Sequence, residues 1–184
     1  FQAPEPNTTP ADEPHRLTPA VQALLAINDA VMFVQATVFS DTSRAMAFDA
    51  TALPAHWFTA LTYMFAHAGV WHLLANMYGL FLFGPRVERT FGTKKFTWFY
   101  LLCGLGGVVF QMLFIRTGVL IGSSAAVFGV MTAYAMQWRD DEVYLMFVLP
   151  MRVRTLVIGL VVFNLAIGVA ATGAGDAANI AYLA

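Results

Sequence analysis

Two apolar stretches of the sequence carry polar residues whose types and spacing could perform nucleophilic chemistry. Ser124 follows Gly122 and Ser123 in IGSSAAVFGV, and His72 and Asn76 are four residues apart in FAHAGVWHLLANMYG. At the first turn of a helix, the Ser124 oxygen would lie among unpaired backbone N–H groups, which suit an oxyanion. A serine nucleophile needs a base and donors for the developing charge. We expect Ser124 to attack, Gly122 and Ser123 to let a substrate approach, and His72 and Asn76 to donate to the oxyanion.

These residues also have structural interpretations, which the sequence leaves open. The i, i+4 spacing places His72 and Asn76 on one face of a helix, where they could instead form hydrogen bonds to a neighbouring helix. Ser123 suits the N-cap position of the helix that follows it. His67 lies nearer the water interface and suits a structural or interfacial role. Polar side chains within a membrane span are costly, so the group as a whole is a functional candidate.

The elements that must position these residues are predicted to be membrane helices. Of the 184 residues, 59% are hydrophobic and 11% are charged, and the net charge of −1 gives no sign of a nucleic-acid-binding face. A bilayer core about 30 Å thick needs about 20 apolar residues. We predict spans near 19–39, 69–90, 96–116, 122–138 and 152–172, and a sixth that starts near 176 and is cut off at Ala184. Residues 1–18 are rich in proline and polar residues and are expected to be a disordered segment before a transmembrane domain, 19–184.

Smaller features of these spans also carry predictions. The one cysteine, Cys103, excludes a disulfide framework within the chain. Ala125 and Gly129 form a pair of small residues one turn apart, which favours close helix packing. Asn28 and Asp29 are expected to mark a polar contact between helices. The aromatic residues near the outer boundary are expected to lie at the interface, and they are Trp57, Tyr63 and Trp71.

The basic residues predict the orientation of the chain in the membrane. With a cytoplasmic N-terminus, eight of the ten lysines and arginines fall on the cytoplasmic side, and Arg44 and Arg116 fall on the other. The second and fourth helices then run in the same direction, starting near His67 and His72 and at Gly122. The two serines and the two histidines therefore share the outer half of the membrane in this prediction.

The residues resemble the rhomboid family of intramembrane serine proteases, whose marks are H-x-x-x-N on the second core helix and G-x-S-x at the head of the fourth. These read His72-Leu-Leu-Ala-Asn76 and Gly122-Ser123-Ser124-Ala125 in this sequence. The stretch PRVERTFG is similar to the cytoplasmic turn of the family, and the likeness covers about residues 57 to 184. The order and spacing of the motifs together make the resemblance specific.

The resemblance implies an all-α bundle of six transmembrane helices, the sixth truncated here, with a water-filled cavity that opens outward. The implied activity is hydrolysis of peptide bonds in or near the transmembrane helices of substrate proteins within the lipid bilayer, with no metal or cofactor. Ser124 would be the nucleophile, and His72, Asn76 and the Ser124 backbone N–H would stabilise the oxyanion. Glu88 and Arg89 would be structural, tying the cytoplasmic turn. We expect a multi-pass protein of a bacterial inner membrane, with the N-terminus in the cytoplasm.

The sequence departs from the family pattern in two places. The family often has Trp-Arg in the first outer loop, whereas Phe58 follows Trp57 here. The family also supplies its general base as a histidine in an A-H-x-x-G pattern on the sixth helix, and this chain ends GDAANIAYLA. In one register Ala184 is the alanine of that pattern and the histidine comes next; in the other, Asn179 replaces it. We expect the 184 residues alone to have no protease activity.

Two other classes of function compete with a protease. A non-catalytic rhomboid-like protein could use the same cavity to bind transmembrane helices, although it would need neither motif. A transporter or channel fits less well, because no span carries a ladder of charged residues and the polar residues gather at one depth.

Overall fold

A computed structural model describes residues 16–37, 42–53, 55–115, 118–145 and 149–162, and this part of the protein is mostly helical. Its helices, in chain order, are α1 (Pro19–Thr37), α2 (Thr42–Met46), α3 (Thr59–Thr62), α4 (Val70–Phe91), α5 (Thr93–Phe110), α6 (Ser124–Gln137) and α7 (Val153–Val162). Short 3₁₀ turns lie at Ala50–Ala52 and Tyr63–Phe65, and a π-helical turn, Gln111–Ile115, extends α5.

The helices coincide with the spans expected from apolar length. The segments α1, α4, α6 and α5 with its π-turn match the first four predicted spans, and α7 begins one residue from the predicted start of the fifth. Within the described residues, Pro19–Thr37 and Thr93–Phe114 are long and apolar enough to cross a membrane. Residues 163–184 lie outside the described part, and they include the predicted sixth helix and Asn179. The predicted number of six helices therefore stays a prediction.

The core of the protein forms where three long helices meet α4. α4 packs against α1, α5 and α6, and α6 also packs against α5. Apolar side chains from all four helices fill the centre, among them Val21, Leu24, Leu80, Phe83, Val87, Phe96, Tyr100, Val127 and Val130. This packing fixes the ends of α4 and α6, which carry the candidate site residues.

Small residues let α5 and α6 approach closely, as predicted for Ala125 and Gly129. A Cβ atom added to Gly107 would lie 2.7 Å from the Cβ of Ala125. A Cβ atom added to Gly129 would lie 2.3 Å from the Sγ of Cys103. The first turns of α6 therefore rest against α5 with no room for a larger side chain at these positions.

Two short antiparallel strand pairs depart from the all-α prediction. β1 (Phe48–Asp49) pairs with β2 (Val119–Leu120), and β3 (Glu142–Leu145) pairs with β4 (Leu149–Arg152). The sequence predictions searched for long apolar stretches, and strands of two to four residues are too short to be detected in that way. The β1–β2 pair ties the segment before Gly122 to the first loop of the protein.

Candidate active site

The start of α4 and the loop before α6 meet at His72 and Gly122. Gly122 has a φ of +104°, a backbone conformation that glycine adopts readily. A Cβ atom on this residue would lie 2.5 Å from Cε1 and 2.7 Å from Nε2 of His72. The Gly122 N–H donates a hydrogen bond to the Tyr63 carbonyl at 2.9 Å. The structure thus brings together the His72 and Gly122 motifs, which are 50 residues apart in sequence.

Ser124 is the first residue of α6, two residues beyond the contact with His72, and it is half-buried. Since α6 is 14 residues long, the first-turn N–H groups around Ser124 lie at the positive end of its helix dipole. The position combines partial access with unpaired backbone donors, which are the features that a nucleophile and its oxyanion site require.

Ser123 occupies the N-cap position of α6, as predicted, but its side chain makes no capping hydrogen bond. Its Oγ lies 3.4 Å from Nε2 of His67 instead, and both residues are buried. The Ser123 side chain therefore faces the protein interior, and the expectation that Ser123 lets a substrate approach stays a prediction.

His67, for which the sequence favours a structural or interfacial role, lies at the site. It is 1% exposed, and its ring packs edge-on against His72 with the ring centroids 5.2 Å apart. Burial, with the His72 ring nearby, lowers the pKa of His67 to about 4, so the ring is neutral at pH 7. The short A-H-A segment before α4 gave little signal of this burial, because it contains no long apolar run.

Asn76 lies one turn after His72 on α4 and is buried. Its Nδ2 donates to the His72 carbonyl at 2.9 Å, so this hydrogen bond stays within the helix. The i, i+4 spacing therefore places Asn76 and His72 along the same face of α4, as the sequence predicts.

Glu88 and Arg89 lie at the opposite end of α4, away from the site. The Glu88 carboxylate accepts hydrogen bonds from the backbone N–H groups of Ala20 and Val21, each at 2.9 Å. It also accepts from the hydroxyls of Thr18 and Thr93, at 2.5 and 2.8 Å. These contacts satisfy the N-terminal donors of α1 and join α1 to the start of α5.

Arg89 forms a hydrogen bond with the segment that precedes α1. Its Nη1 donates to the backbone carbonyl of Arg16 at 3.1 Å. Glu88 and Arg89 thus form hydrogen bonds to the chain before and at the start of α1, and their role in tying a cytoplasmic turn stays a prediction.

A second polar cluster near the C-terminal end of α4 has no counterpart in the sequence predictions. The Arg86 guanidinium contacts the Asp141 carboxylate and donates to the Tyr134 hydroxyl at 3.0 Å. Its Cζ lies 4.3 Å from the centroid of the Trp138 ring, a cation–π arrangement. The cluster joins α4 to the end of α6 and to the β3–β4 hairpin.

Two predictions are wrong at particular residues. Tyr63 is fully buried rather than interfacial, and its hydroxyl donates to the Gly104 carbonyl at 2.6 Å. Asp29 is exposed, whereas its neighbour Asn28 is buried and donates to the Leu24 carbonyl. Trp57 and Trp71 are exposed, as interfacial aromatic residues would be.

Within the residues that the structure describes, no three histidine, cysteine or acidic side chains lie close enough together to bind a metal ion.

Comparison with known proteins identifies related sequences. The family model for the Rhomboid domain matches residues 54–184. RHOMBOID-like protein 1 of Arabidopsis thaliana is 42% identical over 72 residues, which are 39% of this chain and 18% of that protein. RHOMBOID-like protein 4 of the same plant is 45% identical over 65 residues, 35% of this chain and 16% of that protein.

A relative named as inactive also matches. Inactive RHOMBOID-like protein 8 of Arabidopsis thaliana is 35% identical over 82 residues, 42% of this chain and 23% of that protein. The chain therefore spans less than a quarter of the length of these three relatives. All three are plant proteins, so they give no support to the expected bacterial inner membrane.

Proposed function

We propose that this chain, which belongs to the rhomboid family, carries the serine nucleophile of an intramembrane protease that hydrolyses peptide bonds in or near transmembrane helices. The observation that carries the proposal is the contact between His72 and Gly122. The His72 imidazole contacts Gly122, which precedes Ser124 by two residues in the sequence, and the first-turn N–H groups of α6, which have no partner within the helix, would bind an oxyanion.

The proposed reaction follows the chemistry of acyl transfer. The Ser124 hydroxyl attacks the scissile carbonyl, its proton passes to a base and then to the leaving amine, and the peptide C–N bond breaks. The carbonyl oxygen becomes negatively charged beside the Ser124 N–H, His72 and Asn76, which would donate to it. Water then hydrolyses the acyl-enzyme and releases Ser124. No step of this reaction requires a metal or cofactor.

The base in this proposal comes from outside the described residues. Nε2 of His67 is engaged with Ser123, and the contact of His72 with Gly122 suits an oxyanion donor. We place the base on a histidine that directly follows Ala184. If Asn179 occupies the equivalent position instead, Ser124 lacks a base, because an amide does not accept a proton at neutral pH.

The proposed membrane orientation puts the active site in the outer half of the bilayer. α4 and α6 both begin at the site, and the basic residues Arg86 and Arg89 lie at the far end of α4. A cytoplasmic N-terminus would put those arginines on the cytoplasmic side, in agreement with the positive-inside rule.

A non-catalytic protein that binds transmembrane helices is the second candidate, favoured by the similarity to Inactive RHOMBOID-like protein 8. The two candidates differ in what they need from Ser124.

Full-length protein in liposomes with a single-span reporter would distinguish them. The protease proposal predicts that the wild type cleaves the reporter and that Ser124→Ala abolishes cleavage without changing the unfolding midpoint. Reporter binding without cleavage, equal in both proteins, would support the second candidate.

A further inference from the structure

The side chain of Gln35 on α1 pairs with the backbone of His67, 32 residues away. Its Nε2 donates to the His67 carbonyl at 3.1 Å, and its Oε1 accepts from the His67 N–H at 3.2 Å. Nε2 also donates to the Ser43 hydroxyl at 2.5 Å. Gln35 is buried, so a replacement without an amide leaves the polar groups of His67 unsatisfied.

The ring that this pairing holds lies between the two halves of the site. One side of it faces Ser123, with 3.4 Å between Oγ and Nε2, and the other meets the His72 ring edge-on. Ser123 directly precedes the proposed nucleophile, and His72 is the proposed oxyanion donor. His67 therefore contacts the residue before the proposed nucleophile and the ring of the proposed oxyanion donor.

The contact between His67 and Ser123 matters because of the conformation of the loop before α6. The side chain of Ser123 makes no capping hydrogen bond to α6, and Gly122 has the conformational freedom of a glycine. The orientation of the first turn of α6 thus depends on tertiary contacts. Those of Ser123 with His67 and of Gly122 with Tyr63 and His72 act together with the packing of α6 on α4 and α5.

We propose that Gln35 and His67 are positioning residues that align Ser124 with His72: the Gln35 amide on α1 holds the backbone of His67, and the His67 ring contacts Ser123 and His72. The expected effect on catalysis rests on the proposed function. Because neither residue would touch substrate, their loss is expected to lower kcat and leave KM nearly unchanged.

Full-length protein with matched variants provides the test. Gln35→Met removes the amide at constant length, and Gln22→Met makes the same change at an exposed position of α1. His67→Leu removes the ring nitrogens, whereas His67→Gln keeps an amide nitrogen near the position of Nε2. We expect Gln35→Met and His67→Leu to lower kcat for the single-span reporter by about three- to tenfold. Gln22→Met should match the wild type, and His67→Gln should recover most of the rate.

Hydrogen–deuterium exchange supplies a readout that does not require activity. Gln35→Met should speed exchange in a peptide covering residues 119–124, while Gln22→Met leaves it unchanged. A wild type without cleavage but with this exchange pattern would remove the protease proposal and retain the positioning contact. An unchanged kcat and unchanged exchange in Gln35→Met would overturn the inference, as would a loss in His67→Gln equal to that in His67→Leu.

Discussion

The His72 imidazole lies so close to the Cα of Gly122 that a single methyl group on residue 122 would come within 2.5 Å of Cε1. This contact joins the start of α4 to the loop that presents Ser124. The contact requires glycine at position 122 for two reasons. The backbone there has a φ of +104°, and the His72 ring occupies the space that a Cβ atom would fill.

Gly122→Ala is expected to abolish cleavage of the single-span reporter. The methyl group would displace His72 from the loop, and the positive φ would add about 1–3 kcal/mol of strain. Gly69→Ala is the control, since a Cβ atom there meets nothing within 4 Å and its φ is 174°, an extended conformation. Equal activity in the two variants would show that the contact with His72 is dispensable.

Neighbouring glycines of α5 should respond in opposite ways to alanine. At Gly107 the added Cβ atom would lie 2.7 Å from Ala125 and 2.8 Å from the Tyr63 hydroxyl, whereas at Gly106 it meets nothing. Gly107→Ala should destabilise the protein by about 1–3 kcal/mol through overpacking. Gly106→Ala should stabilise it by about 0.5–1 kcal/mol through helix propensity. The free energy of unfolding, measured by SDS titration in mixed micelles, checks both; a stabilising Gly107→Ala would contradict the close approach of α5 and α6.

Glu88→Gln should destabilise the protein by about 2–4 kcal/mol, because an amide cannot accept from all four donors that the carboxylate satisfies. The exposed Asp29→Asn, a like change on α1, should alter the free energy of unfolding by less than about 0.5 kcal/mol. Thermal unfolding in detergent measures both. If the two variants unfolded alike, Glu88 would not be what anchors the start of α1.

Arg86→Gln should loosen the β3–β4 hairpin, since it removes the contact with Asp141 and the stacking on Trp138. We expect a loss of about 1–2 kcal/mol and faster hydrogen–deuterium exchange in residues 139–145. Arg154→Gln is the control, because Arg154 lies 3.8 Å from Asp140 in a more exposed pair. Similar exchange in both variants would mean that Arg86 does not hold the hairpin.

The long helices of the fold could be predicted because the lengths of the apolar stretches, and the polar residues that separate them, indicate where each helix begins and ends. The spacing of His72 and Asn76 likewise predicted that these two residues share one face of a helix, since i, i+4 positions do so. The contact of Gly122 with His72 follows from this topology, although the distance itself does not.

The contacts that the sequence did not reveal are mostly single hydrogen bonds between distant residues. Gln35 is one of several polar residues in α1, and its partners are the Ser43 hydroxyl and the backbone of His67, which the sequence does not link to it. The cluster at Arg86 depends on a hairpin of two four-residue strands, too short for a pattern to indicate. Such contacts are specified by tertiary packing rather than by local sequence.

The most direct test of the account is fluorophosphonate labelling of the full-length protein, followed by peptide mass spectrometry. A serine that attacks carbonyls is expected to form a covalent adduct with this probe. We predict one adduct, on the peptide that contains Ser124, absent in Ser124→Ala and retained in Ser123→Ala. An adduct that persists in Ser124→Ala, or a wild type that never reacts, would contradict the assignment of Ser124 as the nucleophile.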